Sequence, residues 1–350
     1  MTADPAEPAP VGLDLDAITR FFRTHVPAIA GPLSARIIHG GRSNLTYTVT
    51  DGESTWVLRR PPLGLVAPTA NDVVREYRVM HALQRSPVPV PPTVALCEDR
   101  SVIGVPFTVT GYVPGPVIRS PADAAGLSPE QARRCGLALV DELARLHAVV
   151  PAEVGLADFG RPEGFAQRQV HRWRKQWQVV ATRQLPQLDQ LYQALLRRLP
   201  ASGTAAVVHG DYRLDNTILD PDDPGRVAAI VDWEMATLGD PLVDLGLLLA
   251  YWDPVVAPLL AQGHAISGNP GFPDRDEVAA RYLERAGRAP GVDLSFYRGL
   301  GYYKLAVIAE GIHHRYRQGL TVGSGFDTVA SAVVPLLEAG LVALRADDNR

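Results

Sequence analysis

The chain has 350 residues, 46% of them apolar, which is enough to fill two lobes that each have their own core. Its 34 basic and 38 acidic residues leave a formal charge of −4, so no global basic field is present to hold a nucleic acid. Two cysteines, Cys97 and Cys135, form neither a disulfide framework nor a metal-ligand spacing and suit a reducing compartment.

The first 12 residues, MTADPAEPAPVG, mix acids and prolines where a signal peptide needs a basic start and an apolar core, and disorder is expected there. The longest apolar run, 245–252, falls far below the roughly 20 residues of a membrane span, so a soluble, cytoplasmic chain is expected. Leu15, Ile18, Phe22 and Val26 lie near helical spacing and predict a helix over 13–26. Residues 37–50, IIHGGRSNLTYTVT, read as two strands around a Gly40-Gly41 turn. Paired glycines let backbone amides approach phosphate oxygens, and Ser43 and Asn44 add side-chain donors; an ordinary turn has the same appearance.

A strand follows at 56–60, in which alternation puts Arg59 and Arg60 on opposite faces, and Pro61-Pro62 ends it. Asn71 caps a predicted helix over 71–83 that carries Glu76. The prolines of 88–92 enforce an extended connection, and 105–113 reads as a buried strand running into Pro114-Gly115, a hinge position. Ser128 and Pro129 open a core helix over 128–149, with His147 in a structural or capping role. Residues 165–180 are helical and basic, and Trp173 and Trp177 share a face as packing residues. The basic positions there are either a solvated face or a contact for an anionic substrate.

Residues 207–239, VVHGDYRLDNTILDPDDPGRVAAIVDWEMATLG, organise the rest. Apolar runs that suit short buried strands lead into His209-Gly210-Asp211 and into Asp232, and Asn216 stands five residues after Asp211. Phosphoryl transfer needs such a set, because catalysis consists largely of positioning a densely charged group and neutralising it with metal. Asp211 is the candidate base, and Asn216 and Asp232 are hard-oxygen ligands suited to Mg²⁺. Arg213, between them, either neutralises the transferring group or pairs with a neighbouring acid. A buried helix over 246–252, an irregular loop with Gly263, Gly268, Pro270, Gly271 and Pro273, and helices over 276–286 and 294–319 complete the chain. His313-His314 lacks further ligands at zinc spacing. Residues 253–350 hold eleven acids against ten Lys or Arg, a balance that argues against a polycationic acceptor.

A loop Asp, an Asn five residues later and an Asp on the next hairpin resemble the protein-kinase order. Here His209-Gly210-Asp211 stands for His-Arg-Asp, and Asp232-Trp233-Glu234 for Asp-Phe-Gly. The chain resembles the aminoglycoside phosphotransferase and choline kinase-like family of small-molecule kinases, most of all the branch related to the kinase-like domain fused to some acyl-CoA dehydrogenases. Gly40, Gly41, Ser43, Asn44, Thr46 and Tyr47 match the family's nucleotide loop. The resemblance implies an α+β, bilobal protein-kinase-like fold. Its small antiparallel-sheet N-lobe would span 13–113 and its mainly helical C-lobe 114–350, with ATP and Mg²⁺ between them. It implies transfer of the γ-phosphoryl group to a hydroxyl of a small molecule, an anionic or CoA-linked one included. No lysine precedes Lys175, so Arg59 takes the place of the phosphate-gripping lysine, with Arg60 second and Glu76 as its partner. Backbone groups near Gly111 and Val113 would read adenine, and Asp240 and Asp244 would brace the catalytic loop. The arginine also motivates a regulatory nucleotide-binding pseudokinase as an alternative, and an aminoglycoside kinase is a third reading.

Overall fold

The computed structural model describes residues 10–27, 29–38, 44–63, 72–201, 203–260, 269–321 and 325–345. Gly40, Gly41, Ser43 and Asn71 lie outside the described residues. The chain divides into two compact units, one of Met1–Pro114 with Val231–Glu234 and one of Gly115–Ile230 with Met235–Arg350. The segment 231–234, which sequence order assigns to the C-lobe, thus belongs with the first unit.

The first unit is built on a five-stranded antiparallel sheet of β1 (Ser34–Ile37), β2 (Leu45–Thr50), β3 (Thr55–Arg60), β4 (Thr93–Cys97) and β5 (Phe107–Gly111), in the order β1-β2-β3-β5-β4. Alternation on β2 and β3 sends Tyr47, Val49, Trp56 and Leu58 into one core, where helix α1 (Leu15–His25) contributes Ile18, Phe21 and Phe22. Phe22 meets Trp56 edge-on at 5.5 Å and Phe21 meets Phe107 at 4.9 Å. The expectation of disorder through residue 12 is corrected at its end. Tyr47 donates its hydroxyl to the Val11 carbonyl at 2.8 Å, and Arg60 donates to the Gly12 carbonyl. Helix α2 (Val73–Leu83) is capped by Asp72, whose carboxylate accepts from the Arg75 amide at 3.0 Å, and not by Asn71. A short helix, α3 (Arg100–Ile103), joins β4 to β5.

The second unit is mainly helical. It contains α4 (Pro129–His147), α5 (Phe165–Val180), α6 (Pro186–Arg197), α7 (Leu242–Tyr251), α8 (Arg275–Arg285), α9 (Ser295–Arg317) and α10 (Val333–Arg345). Two small antiparallel ladders carry the organising stretch. One pairs β6 (Ala206–Val208) with β9 (Thr237–Gly239), and the other pairs β7 (Thr217–Leu219) with β8 (Val227–Ile230). Helix α4 opens with a full capping box between Ser128 and Gln131. Helix α7 starts at Leu242, four residues before the predicted start, and α6 and α10 are additions to the elements read from sequence. Of the irregular loop, the described part packs: the Trp252 indole donates to the Pro273 carbonyl at 2.7 Å.

Helices α7 and α9 approach backbone to backbone. A Cβ on Gly246 would lie 2.2 Å from the Tyr297 carbonyl oxygen, and one on Gly301 would lie 2.7 Å from the Gly246 oxygen. Gly246→Ala therefore has to push two buried helices apart, which should cost about 1–3 kcal/mol. A thermal melt several degrees below wild type would show this, whereas Gly126→Ala, whose Cβ meets nothing within 4 Å, should melt as wild type does.

Candidate active site

In the first unit, the strand alternation of β3 separates the two arginines as the sequence predicts. Arg60 turns toward the amino-terminal segment, while Arg59 reaches Glu76 of α2, Nε to Oε2 at 3.2 Å, and Asp232, Nη2 to Oδ1 at 3.0 Å. Glu76 is 1% exposed. Burial pushes its carboxyl up to about 7, against the pull of Arg59. Asp232 holds φ at +66°, a left-handed conformation that Asp adopts more readily than most residues. The adjoining Trp233 is fully buried, and its amide donates to the Glu76 carboxylate. Strand β3, helix α2 and the segment 231–234 are thus tied through one guanidinium.

Asn44 closes the predicted nucleotide loop. It is 4% exposed, and neither its amide oxygen nor its amide nitrogen has a hydrogen-bond partner among the described residues. At the hinge, the amides of Gly111 and Tyr112 donate to Pro92 and Thr55 at 2.8 and 3.2 Å. Among the described residues the amide of Val113 has no backbone partner, in contrast to that of Gly111.

In the second unit, Gly210 has φ +85° and a Cβ there would lie 2.7 Å from the Met235 carbonyl, so glycine is required for the turn into Asp211. Asp244 of α7 fixes that turn, accepting the His209 amide at 2.7 Å and the Gly210 amide at 2.9 Å. Its Oδ2 also meets His147 Nε2 at 3.3 Å, and Tyr282 lies 2.6 Å from His147 Nδ1. Burial alone would raise the Asp244 pKa, but His147 and these amides hold it below the usual range. The structural reading of His147 and the bracing role of Asp244 both have a geometric basis here, and Asp240 accepts the Tyr297 hydroxyl at 2.7 Å.

Asp211 presents a carboxylate with both oxygens addressed. Oδ1 accepts from the Tyr251 hydroxyl at 3.1 Å, Oδ2 accepts from the Asn216 amide at 3.2 Å, and Arg213 Nε lies 3.7 Å from Oδ2. Burial would raise its pKa, yet Arg213, Lys304 and the Tyr251 hydroxyl outweigh it and keep the carboxyl below its ordinary range. Asp211 is therefore ionised near neutrality and able to take a proton. Arg213 is shared, pairing with Asp215 at 2.7 Å and lying over the Tyr251 ring at 5.0 Å. Lys304 of α9 donates to the Gly210 carbonyl. Sequence reading missed the roles of Tyr251 and Lys304, which come from helices far along the chain and carry no local motif.

Among the described residues, no group of three or more His, Cys, Asp or Glu is placed to hold a metal by itself. Mg²⁺ beside a nucleotide needs only one or two protein oxygens, because phosphates and water complete its shell. The donors present suit that role. The Asn216 nitrogen is engaged by the Asp211 carbonyl at 2.8 Å, which leaves Oδ1, and Asp232 gives Oδ1 to Arg59, which leaves Oδ2.

Removing the guanidinium should expose its importance to the first unit. Arg59→Met leaves Glu76 buried without its cation and should cost about 3 kcal/mol. Adding Glu76→Gln should recover a substantial part of it, so that denaturant melts of the two single variants and the double variant give a coupling of about 2 kcal/mol.

Comparison with known proteins identifies the family and the fold. The family profile described as "Phosphotransferase enzyme family" matches residues 34–281. Acyl-CoA dehydrogenase family member 11 of Rattus norvegicus is 35% identical over 335 residues, covering 94% of this chain and 43% of the relative. The human protein of the same name is 34% identical over 339 residues, again covering 94% and 43%. The chain thus spans less than half the length of these curated relatives. A crystal structure of a Ralstonia eutropha protein, provisionally described as an aminoglycoside phosphotransferase, matches with TM-score 0.82 and 34% identity over 95% of this chain and 98% of that one. Choline kinase from Cryptosporidium parvum, at 12% identity, shares the fold with TM-score 0.65 over 96% and 97% of the two chains. The antiparallel sheet with a mainly helical second unit is the kinase-like α+β fold, and the chain belongs to the phosphotransferase enzyme family of small-molecule kinases.

Proposed function

We propose that this chain moves the γ-phosphoryl group of ATP to a hydroxyl of a small molecule, in a Mg²⁺-dependent reaction. The observation that carries this reading is the Asp211 carboxylate, held between Tyr251 and Asn216 and kept ionised by neighbouring cations. In the proposed reaction Asp211 accepts the proton of the acceptor hydroxyl, and Tyr251 and Asn216 fix the carboxylate's orientation while it does so. Arg59 offers its remaining N–H groups to the nucleotide phosphates, and Glu76 prevents that long side chain from wandering. Asn216 and Asp232 are the oxygen donors that would hold Mg²⁺; the nucleotide would supply the transferable group and the metal the charge that neutralises it. Arg213, already divided between Asp211 and Asp215, supplies positive charge on the catalytic loop.

The finer choice of acceptor rests on charge. Lys304, Arg172 and Arg213 bring cations to the catalytic-loop side of the second unit, which disfavours a polycationic aminoglycoside or a quaternary amine. The long relatives are acyl-CoA dehydrogenases by name, which favours an anionic or CoA-linked alcohol.

Acceptor-dependent ADP release across hydroxylated metabolites, hydroxyacyl-CoAs included, is the direct test. Asp211→Ala should lower kcat by about 10²–10⁴-fold, with MgATP affinity within about twofold of wild type; an Asp211→Ala enzyme that keeps its turnover refutes the assignment.

A further inference from the structure

An ionised carboxylate offers about four lone-pair sites, two on each oxygen. On Asp211 the Tyr251 hydroxyl takes a site at Oδ1 and the Asn216 amide takes one at Oδ2, so each oxygen keeps one site open. The Asp211 side chain is 23% exposed, and an acceptor's hydroxyl proton has to arrive at one of those open sites. The guanidinium of Arg213 is shaped to fill both of them, because its planar fork can donate two parallel N–H bonds, one to each carboxylate oxygen. It stands beside Asp211 without doing so. Arg213 Nε lies 3.7 Å from Oδ2, outside hydrogen-bond reach.

A second carboxylate has the stronger hold on that fork. Asp215 lies in the single turn Leu214–Asn216 that follows Arg213, and its Oδ2 meets Arg213 Nη2 at 2.7 Å. The Tyr251 ring, 5.0 Å from the centre of the guanidinium, bounds it on another side. Both members of the Arg213–Asp215 pair are half-buried, so solvent and salt screen their attraction less than that of a pair on the open surface. The exposed Arg119 adds positive charge near Asp215, and Lys304 adds it near Asp211. The contested group is still Arg213, the cation that lies within 4 Å of both carboxylates.

We infer that Asp215 is a positioning residue, whose charge draws the Arg213 fork off Asp211 and so keeps the two remaining lone-pair sites of the proposed base open to the acceptor. The consequence for turnover rests on the phosphotransfer reading, which gives Asp211 a proton to take. The competition between two carboxylates for one guanidinium does not rest on it. Charge at position 215 is what the role requires, and an uncharged side chain of the same shape cannot fill it.

Asp215→Asn is that side chain. The crystal structure of this variant should show Arg213 donating to Asp211 at about 3 Å, in place of the 3.7 Å separation. Hydrolysis of MgATP by the full chain, with water in the acceptor's place, gives a turnover that needs no identified alcohol. In Asp215→Asn its kcat should fall about tenfold or more, while the KM for MgATP stays within about twofold. Asp215→Glu, which keeps an anion, should retain more of the activity. In an Arg213→Met background the same Asp215→Asn change should lower kcat by less than about twofold, because no fork remains to settle on Asp211. An Arg213 that keeps its distance from Asp211 in the Asp215→Asn structure overturns the inference. So does an equal loss of kcat with and without Arg213, which assigns the effect to Arg119 or to the turn itself. A wild type that neither hydrolyses MgATP nor releases ADP with any alcohol removes the kinase reading, and the Asp215→Asn structure then still decides where Arg213 goes.

Discussion

Asp244 is a carboxylate with no access to solvent, and the catalytic loop hangs from it. A charge buried to that depth is tolerated only if several donors converge on it, and here two successive backbone amides and an imidazole do so. The amides belong to His209 and Gly210, so the carboxylate dictates the path of the chain immediately before Asp211. The imidazole belongs to α4 and is itself held by Tyr282 of α8. Helices α4, α7 and α8 are therefore registered on one buried anion, and Asp211 inherits its position from their packing. A loop fixed this way has little conformational entropy left to lose, which is the preorganisation that the proposed role of Asp211 requires.

The same logic operates with the sign reversed in the first unit. There a half-buried cation, Arg59, collects Glu76 and Asp232, and it draws together residues far apart in the chain. Arginine suits the position physically, since it stays charged under burial and its planar fork serves several oxygens at once. A lysine would face the same desolvation with fewer directional donors. The replacement of lysine by arginine is thus compatible with a gripping role and with the tight acidic surroundings in which the side chain lies.

Much of this was legible in the sequence because the chemistry sits on short local motifs. The apolar runs before His209 and Asp232 marked β6 and β8, the alternation of β3 separated Arg59 from Arg60, and Ser128-Pro129 marked the start of α4. The α+β class followed from these elements together with the resemblance. What escaped has a common cause. Tyr251 and Lys304 reach the catalytic loop from helices whose sequence reads as core, and nothing local distinguishes a buried tyrosine that touches a carboxylate from one that does not. Helix α10 carries apolar residues beyond its buried face as well, with Val334 and Leu341 half-buried and Val342 exposed, so its periodicity carried little signal. The cap of α2 moved from Asn71 to the adjacent Asp72 because both residue types can accept the same amide, and backbone geometry alone decides between them.

Residues 231–234 belong to the first unit although they follow it by more than a hundred positions, and Asp232 meets Arg59 across 173 residues of chain. On a ribosome, the sheet and α2 emerge long before the acid that completes the charge balance around Arg59. Until then Glu76 must serve as the guanidinium's provisional partner, and the sheet can form without its last segment. Threading one short piece back into an earlier body delays completion of the metal-ligand segment until much of the second unit has been synthesised. Closure of the charge cluster around Arg59 therefore waits until residues 231–234 have been synthesised.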